Sequence, residues 1–107
     1  MGRYGEAIER HISWRNQVEE AKERLFSRAA ELGYSHEEIL SPSRKMPLPA
    51  IRMTIAYKLC KIGVDVHEVA RILNRDRTTV LFYNNYIEEK YQYDRKLAEV
   101  FENLTRQ

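Results

Sequence analysis

Four side chains that are able to contact DNA stand close together in the sequence, at Arg75, Arg77, Thr78 and Thr79. Arginine can donate to both acceptors of a guanine, and the methyl group of threonine can pack against the methyl group of thymine. The free N–H groups at the start of a helix also favour phosphate oxygens. These residue types predict contact with DNA. The simpler alternative is that the threonines only begin a helix and that the arginines are solvated.

The apolar residues around this cluster follow the pattern of a helix-turn-helix between residues 67 and 87. The side chains expected to hold the two helices together are Val69, Ala70, Leu73, Val80 and Tyr83. A small residue is needed where such helices cross, and apolar residues anchor the second helix to the first. Asn74 tolerates the left-handed backbone conformation that the turn requires. In this motif the first residues of the second helix face the bases of the major groove.

The positive charge of the sequence is concentrated in the middle of the chain. The 107 residues include 18 lysines and arginines and 16 acidic residues. Residues 41–77 hold eight of the basic residues and three of the acidic ones, and both flanks are net negative. The length and the 43% of hydrophobic residues fit one globular domain. A local excess of positive charge favours one directed anionic partner.

A long helix is predicted over residues 4–32, because apolar side chains recur every three or four residues and Gly33 follows as a cap. The first half of this helix has few large apolar side chains apart from Trp14. We therefore divide the chain into an N-terminal helical extension at 1–20 and a helix-turn-helix domain at 21–107. The extension is a candidate surface for a second copy of the chain or for a protein partner.

The remaining helices are predicted from their capping residues. The expected caps are Ser35 with Glu38, Asp65 with Glu68, Asp76 and Asp94. Three prolines make residues 41–49 a loop, and a helix over 50–61 follows it. Its apolar face consists of Ile51, Ile55, Leu59 and Ile62. No strand pattern is present, so the predicted fold class is all-α: a compact helical domain with a helix-turn-helix and a long N-terminal helix.

The sequence favours no enzyme, metal site or cofactor. His11, His36 and His67 are far apart and have no partners at ligand spacing, and Cys60 is a single cysteine. The absence of a glycine-rich phosphate loop argues against a bound nucleotide. No apolar run has the length of a membrane span, and no signal segment is recognisable. We therefore expect a cytoplasmic protein without a membrane partner.

The stretch at residues 74–81 reads Asn-Arg-Asp-Arg-Thr-Thr-Val-Leu. It resembles the Arg-Asp-His-Thr-Thr-Val signature in the DNA-binding domain of DnaA, the bacterial replication initiator. Ser-Arg-Lys at 43–45 stands where that family has its basic loop, and residues 50–61 stand where it has its central helix. The resemblance, which spans roughly residues 20–92, implies such a domain standing alone without the ATP-binding domain. It implies a regulator or replication-associated factor that is nucleoid-associated or phage-encoded.

The resemblance also implies roles for individual residues. It places Asp76, Arg77 and Thr78 at base-reading positions in the major groove, and Arg44 near an arginine that enters the minor groove. It implies DNA-backbone contacts for Val66, His67 and Thr79. Further candidates for phosphate contacts are the basic residues Lys45, Arg52, Lys58, Lys61, Arg71 and Arg75. Because Arg77 stands where the family has a histidine, we expect a base preference different from that of the initiator.

Two functions remain open at this point. The first is sequence-specific binding of double-stranded DNA. The second is a helical protein-interaction module that has kept the fold without specific DNA binding and that binds a partner around Trp14. If about five phosphates are neutralised, the slope of log affinity against log salt concentration is about −4 to −5. The interaction module predicts only weak charge attraction to DNA.

Overall fold

The computed structural model describes residues 2–106, with side chains from residue 8 to residue 106. This part of the chain forms six α-helices and no strand, which confirms the predicted all-α fold. The helices are α1 (Gly2–Glu31), α2 (His36–Leu40), α3 (Leu48–Lys61), α4 (Val66–Leu73), α5 (Arg77–Lys90) and α6 (Arg95–Thr105). Met1 and Gln107, the outer ends of the predicted segments 1–20 and 21–107, lie outside the described residues.

Helix α3 lies at the centre of the domain and contacts each of the other five helices. Ile51, Ile55 and Leu59 are at most 1% exposed, as the apolar spacing predicts. Ile62, the fourth predicted member of this face, is 41% exposed, so that part of the prediction is wrong. Ile62 follows the last residue of α3, and the chain turns away at Gly63, where φ is +98°.

The predicted caps account for most of the helix starts. Ser35 and Glu38 form the expected capping box, in which each side chain accepts a hydrogen bond from the backbone N–H of the other at 3.1 Å. Asp65 accepts a hydrogen bond from the backbone of α4 at 2.7 Å. Its predicted partner Glu68 instead pairs with Arg71 on the surface of the helix. A single-sided cap therefore begins α4.

Helix α1 runs past residue 20 without a break, packs into the core with its second half, and is also joined to the domain by hydrogen bonds from two of its side chains. The indole nitrogen of Trp14 donates to the carbonyl oxygen of Ile62 at 3.0 Å, and the ring lies against Gly63. Nearer the C-terminus of the helix, Arg28 donates to the carbonyl oxygen of Asn103 at 2.9 Å. Trp14, expected as a docking point for a partner, thus contacts the chain's own domain.

Asp94 connects the start of α6 to α5. Its carboxylate accepts a hydrogen bond from the Leu97 N–H at 3.0 Å and another from the Tyr86 hydroxyl at 2.8 Å. The bond from Leu97 and then the bond from Tyr86 lower the pKa of Asp94 below its ordinary value of 3.8. The predicted cap is therefore present, and the folded chain favours its charged form.

We expect acid to remove this stabilisation. Because the pKa of Asp94 is lower in the folded chain, its contribution is fully present above the unfolded value of 3.8 and is lost as the pH falls through the folded value. The amide introduced by the Asp94→Asn substitution can still accept the cap bond but carries no charge. Urea unfolding between about pH 6 and about pH 2 should show a steeper loss of stability for the wild type than for the variant. An equal loss of stability in the wild type and the variant as the pH falls would contradict this assignment.

Candidate nucleic-acid interface

Helices α4 and α5 form the predicted helix-turn-helix. They are joined by the three residues Asn74, Arg75 and Asp76. Asn74 adopts the left-handed conformation, with φ of 54° and ψ of 48°, as expected for the turn. The anchors between the helices are all buried: Val69, Ala70, Leu73, Val80 and Tyr83. The second helix is thereby fixed with its N-terminal end at the surface.

The first turn of α5 presents polar side chains to solvent. Arg77 and Thr78 are exposed, and Thr79 is half-buried. Asp76 occupies the N-cap position of α5, but its side chain makes no capping hydrogen bond. The position of the predicted cap is therefore right and the predicted bond is absent. The Asp76 carboxylate is exposed and free to accept a donor from another molecule.

The loop between α2 and α3 carries Arg44 and Lys45 on the surface, and both side chains are exposed. Serine hydroxyls shape this loop. The Ser41 hydroxyl donates to the carbonyl oxygen of Glu38 at 2.6 Å, and the Ser43 hydroxyl oxygen accepts from the Lys45 N–H at 3.2 Å. The loop thus has a defined backbone path despite its lack of regular structure.

Arg52 is not a phosphate contact, which corrects the prediction from its charge. Its side chain extends from α3 into the interior and is 2% exposed. The guanidinium donates to four carbonyl oxygens of the segment that leads from α2 into the loop. The acceptors and distances are Ile39 at 2.7 Å, Ser43 at 2.6 Å, Ser41 at 2.9 Å and Glu38 at 3.1 Å. Arg52 therefore positions the loop that carries Arg44.

Two residues of the turn bind the same segment from the other side. The side-chain nitrogen of Asn74 donates to the carbonyl oxygen of Leu40 at 3.2 Å. The Arg75 guanidinium donates to the carbonyl oxygens of Ser41 and Leu40. Arg75 is half-buried, so these bonds occupy N–H donors that the sequence assigned to a phosphate, although the positive charge remains. The loop and the helix-turn-helix are consequently connected through the carbonyl groups of Leu40 and Ser41.

The loop and α5 border a common cavity of about 530 Å³ that opens to solvent. Arg44 lines it from the loop, Arg75 from the turn, and Thr79 and Phe82 from α5. The structure therefore brings together the predicted minor-groove residue and the predicted recognition helix. Asp76 also lines the cavity, at its junction with the start of α5.

Arg52 and Arg75 give this region a concentrated positive charge. Within the described part of the chain, no acidic side chain forms a salt bridge with either guanidinium. Burial lowers the pKa of Arg52, and the nearby charge of Arg75 lowers it further. Carbonyl dipoles satisfy the donors without cancelling the charge. The surface above these residues therefore favours an anion.

The other predicted backbone contacts fall into two groups. Val66 and His67 lie at the start of α4, where Val66 is half-buried and His67 is exposed, and the exposed Arg71 lies one turn further along. Lys58 and Lys61 lie on a different side of the domain, with their amino groups 5.9 Å from the Phe101 ring and 5.2 Å from the Tyr57 ring.

Helix geometry shows how far Lys58 is from the cavity. Met53, the last residue of α3 that lines the cavity, precedes Lys58 by five residues. Five residues correspond to a net rotation of about 140° around the helix and a rise of ~7.5 Å along it. Lys58 therefore does not share a surface with Arg44 and α5.

Two apolar side chains of α5 are exposed to solvent and were not among the predicted contacts. Leu81 is 39% exposed and Phe82 is 56% exposed. A signal for both was present in the sequence, because neither position belongs to the buried stripe formed by Val80, Tyr83 and Ile87. An apolar residue off the buried stripe of a recognition helix is a candidate contact.

Comparison of the chain with models of protein families, with curated proteins and with solved structures finds no match. Among the described side chains, those of residues 8–106, no group of histidine, cysteine or acidic residues is arranged to hold a metal ion. None of the helices in that part of the chain combines the length and the apolar character needed to cross a membrane.

We expect the Arg52→Met variant to lose the defined loop. Methionine fills a similar space but leaves buried carbonyl groups without donors, which costs about 2–4 kcal/mol of unfolding free energy. Urea unfolding measures this loss, and hydrogen exchange measures the protection of the loop amides. The matched variant Arg71→Met changes an arginine whose side chain is 79% exposed and should stay within about 0.5 kcal/mol of the wild type. Unchanged loop protection in Arg52→Met would refute the assignment.

Proposed function

We propose that this protein is a sequence-specific double-stranded DNA-binding protein. The N-terminal turn of α5 enters the major groove, and the loop that carries Arg44 and Lys45 reaches the adjacent minor groove or the backbone. The observation that carries the proposal is the shared cavity, which Arg44 lines from the loop and Thr79 lines from α5, and in which three arginines outnumber the one acidic residue, Asp76. An elongated anion such as a DNA strand suits this arrangement.

The resemblance to the DNA-binding domain of DnaA supports the same proposal. The signature residues Asp76, Arg77 and Thr78 occupy the N-cap and first turn of α5, where a helix-turn-helix contacts bases. Arg77 would donate to a guanine, and the uncapped carboxylate of Asp76 would accept from a cytosine amino group or orient Arg77. Thr79, half-buried beside the cavity, would contact the backbone.

The proposed backbone contacts are those on the same side as α5. They comprise Lys45 in the loop and, at α4, the start of the helix with Val66 and His67, together with Arg71. Arg75 holds the loop through its hydrogen bonds to Leu40 and Ser41, and its positive charge lines the cavity beside the proposed DNA strand. Lys58 lies outside this surface. The basic side chains on this side are four, Arg44, Lys45, Arg71 and Arg75, so we propose about four neutralised phosphates rather than the five expected from the sequence.

Substitution of the base-reading residues should weaken binding to a selected sequence. Arg77→Ala and Thr78→Ala should each cost about 1–3 kcal/mol, or roughly 5- to 150-fold in Kd, because each removes a contact to a base edge. Fluorescence anisotropy with a duplex selected from a randomised pool measures the change. The matched control is Arg95→Ala, which removes an exposed arginine at the start of α6.

Two results together would refute the proposed sequence-specific binding. If the pool yields no preferred sequence and both α5 variants bind DNA like the wild type, sequence-specific recognition is refuted. The chain would then retain the fold as a protein-interaction module, the alternative left open by the sequence.

Salt dependence separates the phosphate contacts from the other basic residues. Four neutralised phosphates predict a slope of log affinity against log salt of about −3.6. Arg44→Ala should reduce the magnitude of this slope by about 0.9, because one contact is lost. Lys58→Ala removes an equal charge on the other side of α3 and should leave the slope unchanged. Equal effects of the two variants would show that only overall charge matters.

A further inference from the structure

The second turn of α5 exposes a pair of apolar side chains that the fold does not use. Leu81 and Phe82 are 39% and 56% exposed, whereas Val80 and Tyr83 on either side of them are buried. The Phe82 ring contacts the rings of Tyr83 and Tyr86, with centroids 6.5 and 5.8 Å away, and leaves its outer part open. The packing of the core therefore does not require a large apolar residue at either position.

The position of the pair relates it to the first turn of α5. Leu81 follows Arg77 by four residues and Phe82 follows Thr78 by four residues, so each pair shares a side of the helix. Four residues correspond to a rise of ~6 Å along the helix axis. Leu81 and Phe82 thus extend the exposed face that begins with Arg77 and Thr78.

The charges around the pair restrict what can cover it. Phe82 lines the same cavity as Arg44, Arg75 and the acidic Asp76, so basic side chains outnumber acidic ones there, and Leu81 lies one turn after Arg77. An occupant that combines an apolar group with negative charges therefore fits this surface. In the major groove, the 5-methyl group of thymine is the apolar feature of the base edges, and phosphates flank it on both sides.

The far end of α5 sets a limit to the face. Glu88 and Glu89 are exposed in its last turns, where their charges would repel a phosphate backbone. The face available for DNA consequently consists of the first two turns. Leu81 and Phe82 are the large apolar side chains in that part of the helix that remain exposed.

We propose that Leu81 and Phe82 recognise thymine through its 5-methyl group, about one to two base pairs beyond the bases contacted by Arg77 and Thr78. The target site therefore contains at least one thymine at that distance. This inference rests on the proposed function and adds a specificity determinant to it.

Replacement of thymine by uracil tests the inference, because it removes only the methyl group. Each thymine of the selected duplex is replaced in turn, and Kd is measured by fluorescence anisotropy for the full chain and for the Leu81→Ala and Phe82→Ala variants. We expect a loss of about fourfold at one or two thymines in the wild type, the value of one buried methyl group. At the same thymine, the variant that lacks the contacting side chain should show no loss.

Two matched variants control for the removal of apolar surface elsewhere. Leu32→Ala changes a leucine that is 38% exposed at the end of α1, and Tyr93→Ala changes an aromatic residue that is 76% exposed in the turn before α6. Both should keep the wild-type response to uracil. All four positions are at the surface, so the variants should fold as the wild type does.

The outcomes distinguish this inference from the proposed function. Sequence-specific binding without any response to uracil would overturn thymine recognition and leave the proposed function standing. A wild-type uracil response in both Leu81→Ala and Phe82→Ala would also overturn it. If no sequence is selected from the pool, the proposed function and this inference are both refuted.

Discussion

The buried guanidinium of Arg52 needs hydrogen-bond acceptors, and this need determines where the loop before α3 lies. A charged group can stay in the interior only if its donors are satisfied. In this chain the acceptors are backbone carbonyl groups of residues 38–43, which cannot be supplied by an isolated helix. The loop must therefore close over α3. Its exposed residues, Arg44 and Lys45, acquire their positions from this closure.

The carbonyl oxygen of Ser41, which accepts from Arg52, also accepts from Arg75 and connects the loop to the helix-turn-helix. Asn74 and Arg75 bind the segment from the turn while Arg52 binds it from α3. The loop and the start of α5 consequently behave as one surface rather than as two separate contacts. Two guanidinium groups without acidic partners in the described part of the chain lie beneath that surface, and their mutual repulsion is partly offset by the carbonyl dipoles. In the proposed complex, DNA phosphates would provide the balancing charge.

Local sequence accounts for the parts of the fold that depend on neighbours in the chain. The capping box of Ser35 and Glu38 and the cap at Asp94 each use residues within three positions of one another, so their bonds follow from the sequence. The left-handed turn at Asn74 depends on that residue and its neighbours. The apolar stripe of α5 follows from helical periodicity. The placement of the candidate interface at the start of α5 was predictable for the same reason.

The all-α class, most helix limits and the candidate recognition helix were predictable from the residues alone, because they depend on periodicity and on short-range hydrogen bonds. The roles of the individual charged and aromatic residues emerged only in the folded chain. Arg52 and Lys58 are both basic residues of α3. Arg52 is buried under the loop, whereas the amino group of Lys58 lies over the Phe101 ring of α6. Trp14 contacts its own domain, and Phe82 stays exposed. The reason is that the surroundings of each of these side chains are formed by segments distant in sequence. A local sequence pattern does not predict which distant segments pack against a given residue.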